Sequence, residues 1–247
     1  MPKTPRPWIV TRHDPIEKLE DNLWAVQGDV PGIPFKRRMF IIKRSDGRLM
    51  FFGMAIPVED QLLAEITAWG RPSILVVAHD QHMIDARAFA ERLGLKVYGP
   101  KPCEAKMRAR VELAGVLEDV PPDPNVQVMP VAGTKAGEPA VIVKSDGGRR
   151  VSLLVSDVLQ NNPKDSLGLL PRLMGFGGGP KIGRSSPGAA RSAHSRRRNL
   201  QFRRFARISR QAHADGLAPG GYYRPFQKAT SSALSPPCLV LEREGLG

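Results

Sequence analysis

Two histidines and two aspartates lie close together in the segment VVAHDQHMID, at positions 76–85. Imidazole nitrogens and carboxylate oxygens are groups that hold zinc in proteins, so His79, His82, Asp80 and Asp85 are candidate metal ligands. A helix that began at His82 would place His82 and Asp85 on one face. The competing interpretation is structural, because histidines often cap helices and bond to backbone groups without binding a metal.

The candidate segment lies where a predicted buried strand gives way to a predicted helix. Residues 74–78 form a continuous apolar run, which is typical of a strand buried on both faces. Residues 82–93 carry apolar side chains at helical spacing and are followed by Gly94, a residue suited to the end of a helix. Side chains at the ends of buried strands are anchored and still reach solvent, so functional sites of α/β proteins gather there.

The surrounding patterns mix strands and helices. Two β-rich runs within 38–53 and two within 140–158 each flank a Ser-Asp-Gly turn, and an Asp-Gly step favours a tight hairpin. The two hairpins are similar enough to indicate an internal duplication and short enough to be a coincidence. The remaining predicted elements are strands at 7–12, 23–28, 96–98 and 126–131 and helices at 57–69 and about 103–114. This irregular alternation favours a layered α/β sandwich of mixed sheets over a purely parallel sheet.

The charge of the chain is unevenly distributed. Its 247 residues carry a net charge of +13, and residues 182–247 contribute 12 cations against 3 acidic residues. This segment is rich in Ala, Arg, Ser, Gly and Pro and poor in large apolar residues, a composition that cannot offset the entropy of ordering by burial. We therefore predict a folded domain at residues 1–176 and a Gly-rich linker with a basic, disordered or out-of-frame tail at 177–247.

The basic tail has three interpretations. It could be a nucleic-acid-binding arm, in which arginines neutralise phosphates and neighbouring phenylalanines stack on bases. It could be an ordinary solvated extension. We favour a frameshift, because this composition results when a GC-rich gene is read out of frame. If so, we expect that reading the gene one base out of phase after codon 181 restores an apolar ending. The arginines of the first interpretation are Arg196, Arg197, Arg198, Arg203 and Arg204.

Several other classes of function have little support in the sequence. The apolar run at 74–78 is far shorter than the roughly 20 residues of a membrane-spanning helix, and the first residues lack the apolar core of a secretory signal. Cys103 and Cys238 lie far apart and predict neither a metal pair nor a disulfide framework, so we expect a cytoplasmic protein that binds no membrane. The glycine-rich stretch at 175–180 lacks the following Lys-Ser/Thr pair of a P-loop, and no Gly-x-Ser-x-Gly motif indicates a serine hydrolase.

The order of elements resembles the first half of the metallo-β-lactamase superfamily over residues 20–176. The resemblance lies in a hairpin, an amphipathic helix, a buried strand ending in His79, a helix and a short strand ending in Tyr-Gly-Pro. A later apolar strand, in LLVSDVLQNNP, ends in Asp157, where that superfamily places an aspartate that bridges its metals. The resemblance implies an α/β fold of the αββα type, a four-layer sandwich of mixed β-sheets flanked by helices, incomplete at the C-terminus.

The metal motif of that superfamily, His-x-His-x-Asp-His, is altered in this chain. His79 matches its first ligand, whereas Gln81, Met83 and Ile84 stand at the next three ligand positions. Of the motif ligands only His79 and Asp157 carry over by position, and His82 and Asp85 are displaced relatives of the others. The candidate ligands of this degenerate site are therefore His79, His82, Asp157 and Asp85. Such a site would hold zinc weakly and support weak metal-dependent hydrolysis of an unknown small molecule. The alternatives are a non-catalytic scaffold of the same fold and nucleic-acid binding through the tail.

Overall fold

The computed structural model describes residues 7–32, 36–131 and 133–157, together with three short strands at 159–161, 180–182 and 238–242. These residues form a seven-stranded sheet, a four-stranded sheet and a two-stranded ribbon. Three helices connect strands of the larger sheet. The predicted α/β class with mixed sheets is therefore confirmed.

The larger sheet begins with an antiparallel meander whose strands pair in chain order. The predicted hairpin at 38–53 is its last turn, where Gly47 adopts a positive φ of 77° that glycine tolerates without a steric penalty. The four strands are β1 (Glu17–Glu20), β2 (Leu23–Asp29), β3 (Lys36–Lys43) and β4 (Arg48–Gly53).

The second half of the larger sheet is parallel, because each strand is followed by a helix that returns the chain to the same edge. After β4 the elements are α1 (Asp60–Trp69), β5 (Arg71–Val76), α2 (Ala86–Leu93), β6 (Lys96–Gly99), α3 (Glu104–Arg108) and β7 (Leu113–Val116). The helix predicted to run to residue 114 ends at Arg108, and Leu113–Val116 pair with β6 instead. The strand predicted at 7–12 is also wrong: those residues form no strand.

The smaller sheet is antiparallel, in the order β13, β10, β9, β8. Its central pair forms the hairpin predicted within residues 140–158. Its strands are β8 (Val126–Pro130), β9 (Pro139–Ser145), β10 (Arg150–Val155) and β13 (Cys238–Glu242), and the ribbon pairs β11 (Leu159–Asn161) with β12 (Pro180–Ile182). β12 and β13 belong to the segment predicted as a linker and tail, and the composition did not predict them. The rest of that segment, including the five candidate arginines, lies outside the described residues.

Two apolar layers pack against the larger sheet, one on each face. One lies between the sheets and joins Phe52 and Val76 of the larger sheet to Val141 and Leu154 of the smaller. The other lies between the larger sheet and its helices. Residues 74–77 are at most 2% exposed, so the apolar run that includes the second half of β5 is buried on both faces as predicted.

The predicted four-layer sandwich has a second layer of helices, packed on the outer face of the smaller sheet. The residues that would form this layer are not among those that the structure describes. Within the described part of the chain, no helix is long and apolar enough to cross a membrane.

Candidate metal centre

Two histidines leave the carboxyl end of β5 in a tight turn. His79 has an extended backbone, and a 3-10 turn at Asp80–His82 follows it. The N–H of His82 donates to the carbonyl of His79 at 3.0 Å. Side chains three residues apart eclipse one another in such a turn, and the two imidazoles accordingly lie with their centroids 3.9 Å apart. The prediction that His82 opens a helix and shares a face with Asp85 is wrong, because this turn intervenes and α2 begins only after Asp85.

Asp157 approaches the two histidines from the other sheet. Its Oδ2 atom lies 3.0 Å from Nε2 of His79 and 3.3 Å from Nε2 of His82. The neighbouring Ser156 places its hydroxyl 3.1 Å from Nδ1 of His82. β5 and β10 belong to different sheets, and the apolar layer between the sheets brings their carboxyl ends together. The structure thus joins three of the five candidate ligands: His79, His82 and Asp157.

The hydrogen bonds of His79 define its tautomer. The backbone N–H of Gln81 donates to Nδ1 of His79 at 3.2 Å, so Nδ1 is an acceptor. In a neutral imidazole the other nitrogen then carries the proton. Nε2–H of His79 therefore donates to the carboxylate of Asp157.

The charges of the cluster reinforce this bond. Burial acts to raise the pKa of Asp157, but hydrogen bonds from His79 and His82 outweigh it and hold that pKa well below its ordinary range. Burial acts to lower the pKa of His79, but the hydrogen bond to Asp157 and the negative charges of Asp157, Glu138 and Asp80 raise it overall. The Asp157 side chain is 48% exposed and those of His79 and His82 only 7% and 13%, so the cluster faces solvent through its carboxylate.

Asp85 lies apart from this cluster. Its carboxylate is 2.5 Å from Nη1 of Arg37, and the two side chains are 4% and 0% exposed. A guanidinium this deeply buried needs a counter-charge, which accounts for an aspartate here without any metal. Asp80 also faces elsewhere, since its carboxylate contacts the thiol of Cys103 at 3.5 Å and the ammonium of Lys106 at 3.4 Å.

Three groups around the cluster were missed by the sequence analysis. Ser156 could have been found from its position next to Asp157 at the end of an apolar strand. The backbone N–H of Gln81 and the carboxyl group of Glu138 could not, because their roles depend on how the chain folds. Glu138 is 3% exposed and adds negative charge beside His79.

The chain matches no protein-family model and no curated protein sequence. It is similar in fold to the crystal structure of the metallo-beta-lactamase IND-7, with 12% sequence identity, a TM-score of 0.43, and coverage of 81% of this chain and 86% of that chain. A similarity of this size carries no argument about activity or ligands.

Proposed function

We propose that the protein binds one zinc ion through His79, His82 and Asp157 and uses it for weak hydrolysis of a small molecule. One observation supports the proposal above all: a single carboxylate oxygen lies 3.0 and 3.3 Å from two imidazole nitrogens. Ligand atoms at bonds of about 2.0–2.1 Å in a tetrahedral zinc site lie roughly 3.3 Å apart. The donor types and their spacing therefore fit zinc, and three protein ligands leave the fourth position open, as in catalytic zinc sites.

The hydrogen bonds also explain why zinc should be held weakly. Nε2 of His79 would give up its proton to bind the metal, and the neutral ring would then carry a proton on Nδ1, facing the N–H of Gln81. The bond from Gln81 would be lost, at a cost of about 1 kcal/mol. That cost weakens binding by about fivefold, since every 1.4 kcal/mol is tenfold. It reduces the affinity without preventing binding.

The residues of the site would have distinct roles. A bound zinc ion supplies a Lewis acid and a water whose pKa is lowered towards neutrality. The hydroxyl of Ser156 holds Nδ1 of His82, so Nε2 of His82 faces Asp157 and the metal position. The carboxylate of Asp157 supplies negative charge to the cation and forms the side of the site that solvent reaches.

The test is a hydrolysis assay on the zinc-loaded full chain, with p-nitrophenyl acetate and bis(p-nitrophenyl) phosphate as generic probes. We expect hydrolysis to require zinc and to be lost in His82→Ala. His13→Ala is the matched control, since His13 bonds to Glu59 at 2.5 Å and lies outside the cluster. Equal rates for His82→Ala and the parent would contradict the proposal.

Zinc binding without hydrolysis of either probe would favour the non-catalytic scaffold. Nucleic-acid binding through the tail stays a sequence-based prediction, because its five arginines lie outside the described residues.

A further inference from the structure

Three cations begin three neighbouring strands at the end of the larger sheet that is opposite to the histidines. Arg48, Arg71 and Lys96 are the first residues of β4, β5 and β6, which pair in parallel. Arg48 and Arg71 are direct partners in the register of β4 and β5. Like charges at directly opposite positions destabilise a sheet. The register therefore places two like charges side by side at this end of the sheet.

The three cations line one cleft of about 480 Å³. Arg71 and Lys96 form no ion pair with another described residue. Arg48 has only a loose one, in which its Nε lies 3.8 Å from a carboxylate oxygen of Asp46, and both side chains are about half exposed. Among the described residues that line the cleft, Asp46 is the single acidic one. The positive charge in the cleft is therefore largely uncompensated.

A fourth cation of the cleft, Arg44, is already neutralised. Its side chain is 6% exposed, its Nε lies 3.5 Å from Asp123, and it donates to the carbonyls of Pro121 and Pro122. Arg44 therefore lines the cleft as part of its wall, and its charge needs no bound anion. The carboxyl end of α2, at Gly94, also lines the cleft but carries only about half a negative charge. That partial charge is too small to neutralise the three cations.

The floor of the cleft is apolar, where Pro72, Ile74 and Leu93 line it. A volume of about 480 Å³ falls within the range of pockets that hold small organic ligands, roughly 300–1,000 Å³. Lysine and arginine are the side chains that recognise phosphate oxygens. We propose that this cleft binds an organic phosphate of nucleotide size, with its phosphates on the cations and its ring on the apolar floor.

Calorimetric titration of the full chain with ADP and with inorganic pyrophosphate tests the proposal. EDTA is present throughout, so zinc bridging at the histidine cluster cannot contribute. We expect saturable binding of both ligands, with ADP tighter because its ring covers the apolar floor. The double variant Arg71→Gln/Lys96→Gln should lose at least about tenfold in affinity for each, since it removes two charge-assisted contacts.

Lys101→Gln/Lys135→Gln is the matched control, because it removes the same charge at exposed positions outside the cleft. Melting temperatures of all variants establish that they fold. No saturable binding by the folded parent, or an equal loss of affinity in the two double variants, would overturn the proposal. Binding of a single-stranded oligonucleotide that depends on Arg71 and Lys96, with no binding of ADP, would overturn it in favour of a nucleic-acid contact.

Discussion

Replacement of Asp85 by asparagine should destabilise the protein strongly, although Asp85 lies outside the candidate metal centre. The substitution removes the negative charge that lies 2.5 Å from the guanidinium of Arg37, at a place where both side chains are buried. Arg37 would keep its hydrogen bonds to the carbonyl of Ala55 at 2.8 Å and to the hydroxyl of Thr11 at 3.3 Å. Its positive charge would nevertheless lose its counter-charge.

The size of the effect follows from this burial. Removal of one partner of a buried ion pair costs about 3–5 kcal/mol. Asparagine retains one oxygen that accepts from Arg37, so we expect a decrease in the free energy of unfolding near the lower limit, about 3 kcal/mol. In a domain of this size the melting temperature should fall by roughly 6–12 °C.

Thermal unfolding followed by circular dichroism measures the effect, with Asp60→Asn as the control. Asp60 also pairs with an arginine, Arg92, but the two side chains are 86% and 37% exposed. An exposed pair contributes little, so the melting temperature of Asp60→Asn should stay within a few degrees of the parent. Equal shifts in the two variants would refute the reasoning. Loss of zinc binding by folded Asp85→Asn would show that Asp85 is a ligand after all.

Three further predictions follow from the core, the cluster and the composition. Val76→Asp should lower the free energy of unfolding in urea by about 3–5 kcal/mol, because Val76 is 0% exposed; a melting temperature within about 2 °C of the parent would make β5 peripheral. The pKa of Asp157 is lowered and that of His79 is raised, so the attraction between their charges stabilises the folded state. That stabilisation is lost when pH falls through the pKa of Asp157 or rises through the pKa of His79. The stability difference between the parent and Asp157→Asn should therefore be largest between the ordinary values of 3.8 for Asp and 6.5 for His, and a difference that is independent of pH would contradict this. Limited proteolysis should cut first between residues 175 and 210, as the composition there predicts, and an earlier cut within residues 38–157 would count against it.

The hairpins and the buried strand could be predicted from the sequence because their signals are local. An Asp-Gly step between two β-rich runs needs no partner to favour a turn. The apolar run at 74–78 likewise carries its own evidence of burial. The helix predicted to reach residue 114 failed because pairing of Leu113–Val116 with β6 overrides the local helical pattern.

The contacts of the candidate ligands could not be read from the sequence in the same way. Asp85 was a candidate metal ligand because of its residue type alone. In the structure its carboxylate forms an ion pair with Arg37, which lies 48 positions earlier in the chain. Asp157 and His79 are 78 positions apart, and only the packing of one sheet on the other brings them together. The resemblance to a known fold pointed to both residues. It did not indicate the tautomer of His79, which depends on a backbone hydrogen bond from Gln81.

Equilibrium dialysis of the full chain against zinc tests the central claim most directly. We predict about one zinc ion per chain at saturation, because three ligand atoms lie within 4.8 Å of one another. His79→Ala and His82→Ala should each lose most of that affinity, and His13→Ala should keep it. Stoichiometric zinc that survives in both His79→Ala and His82→Ala would contradict the claim.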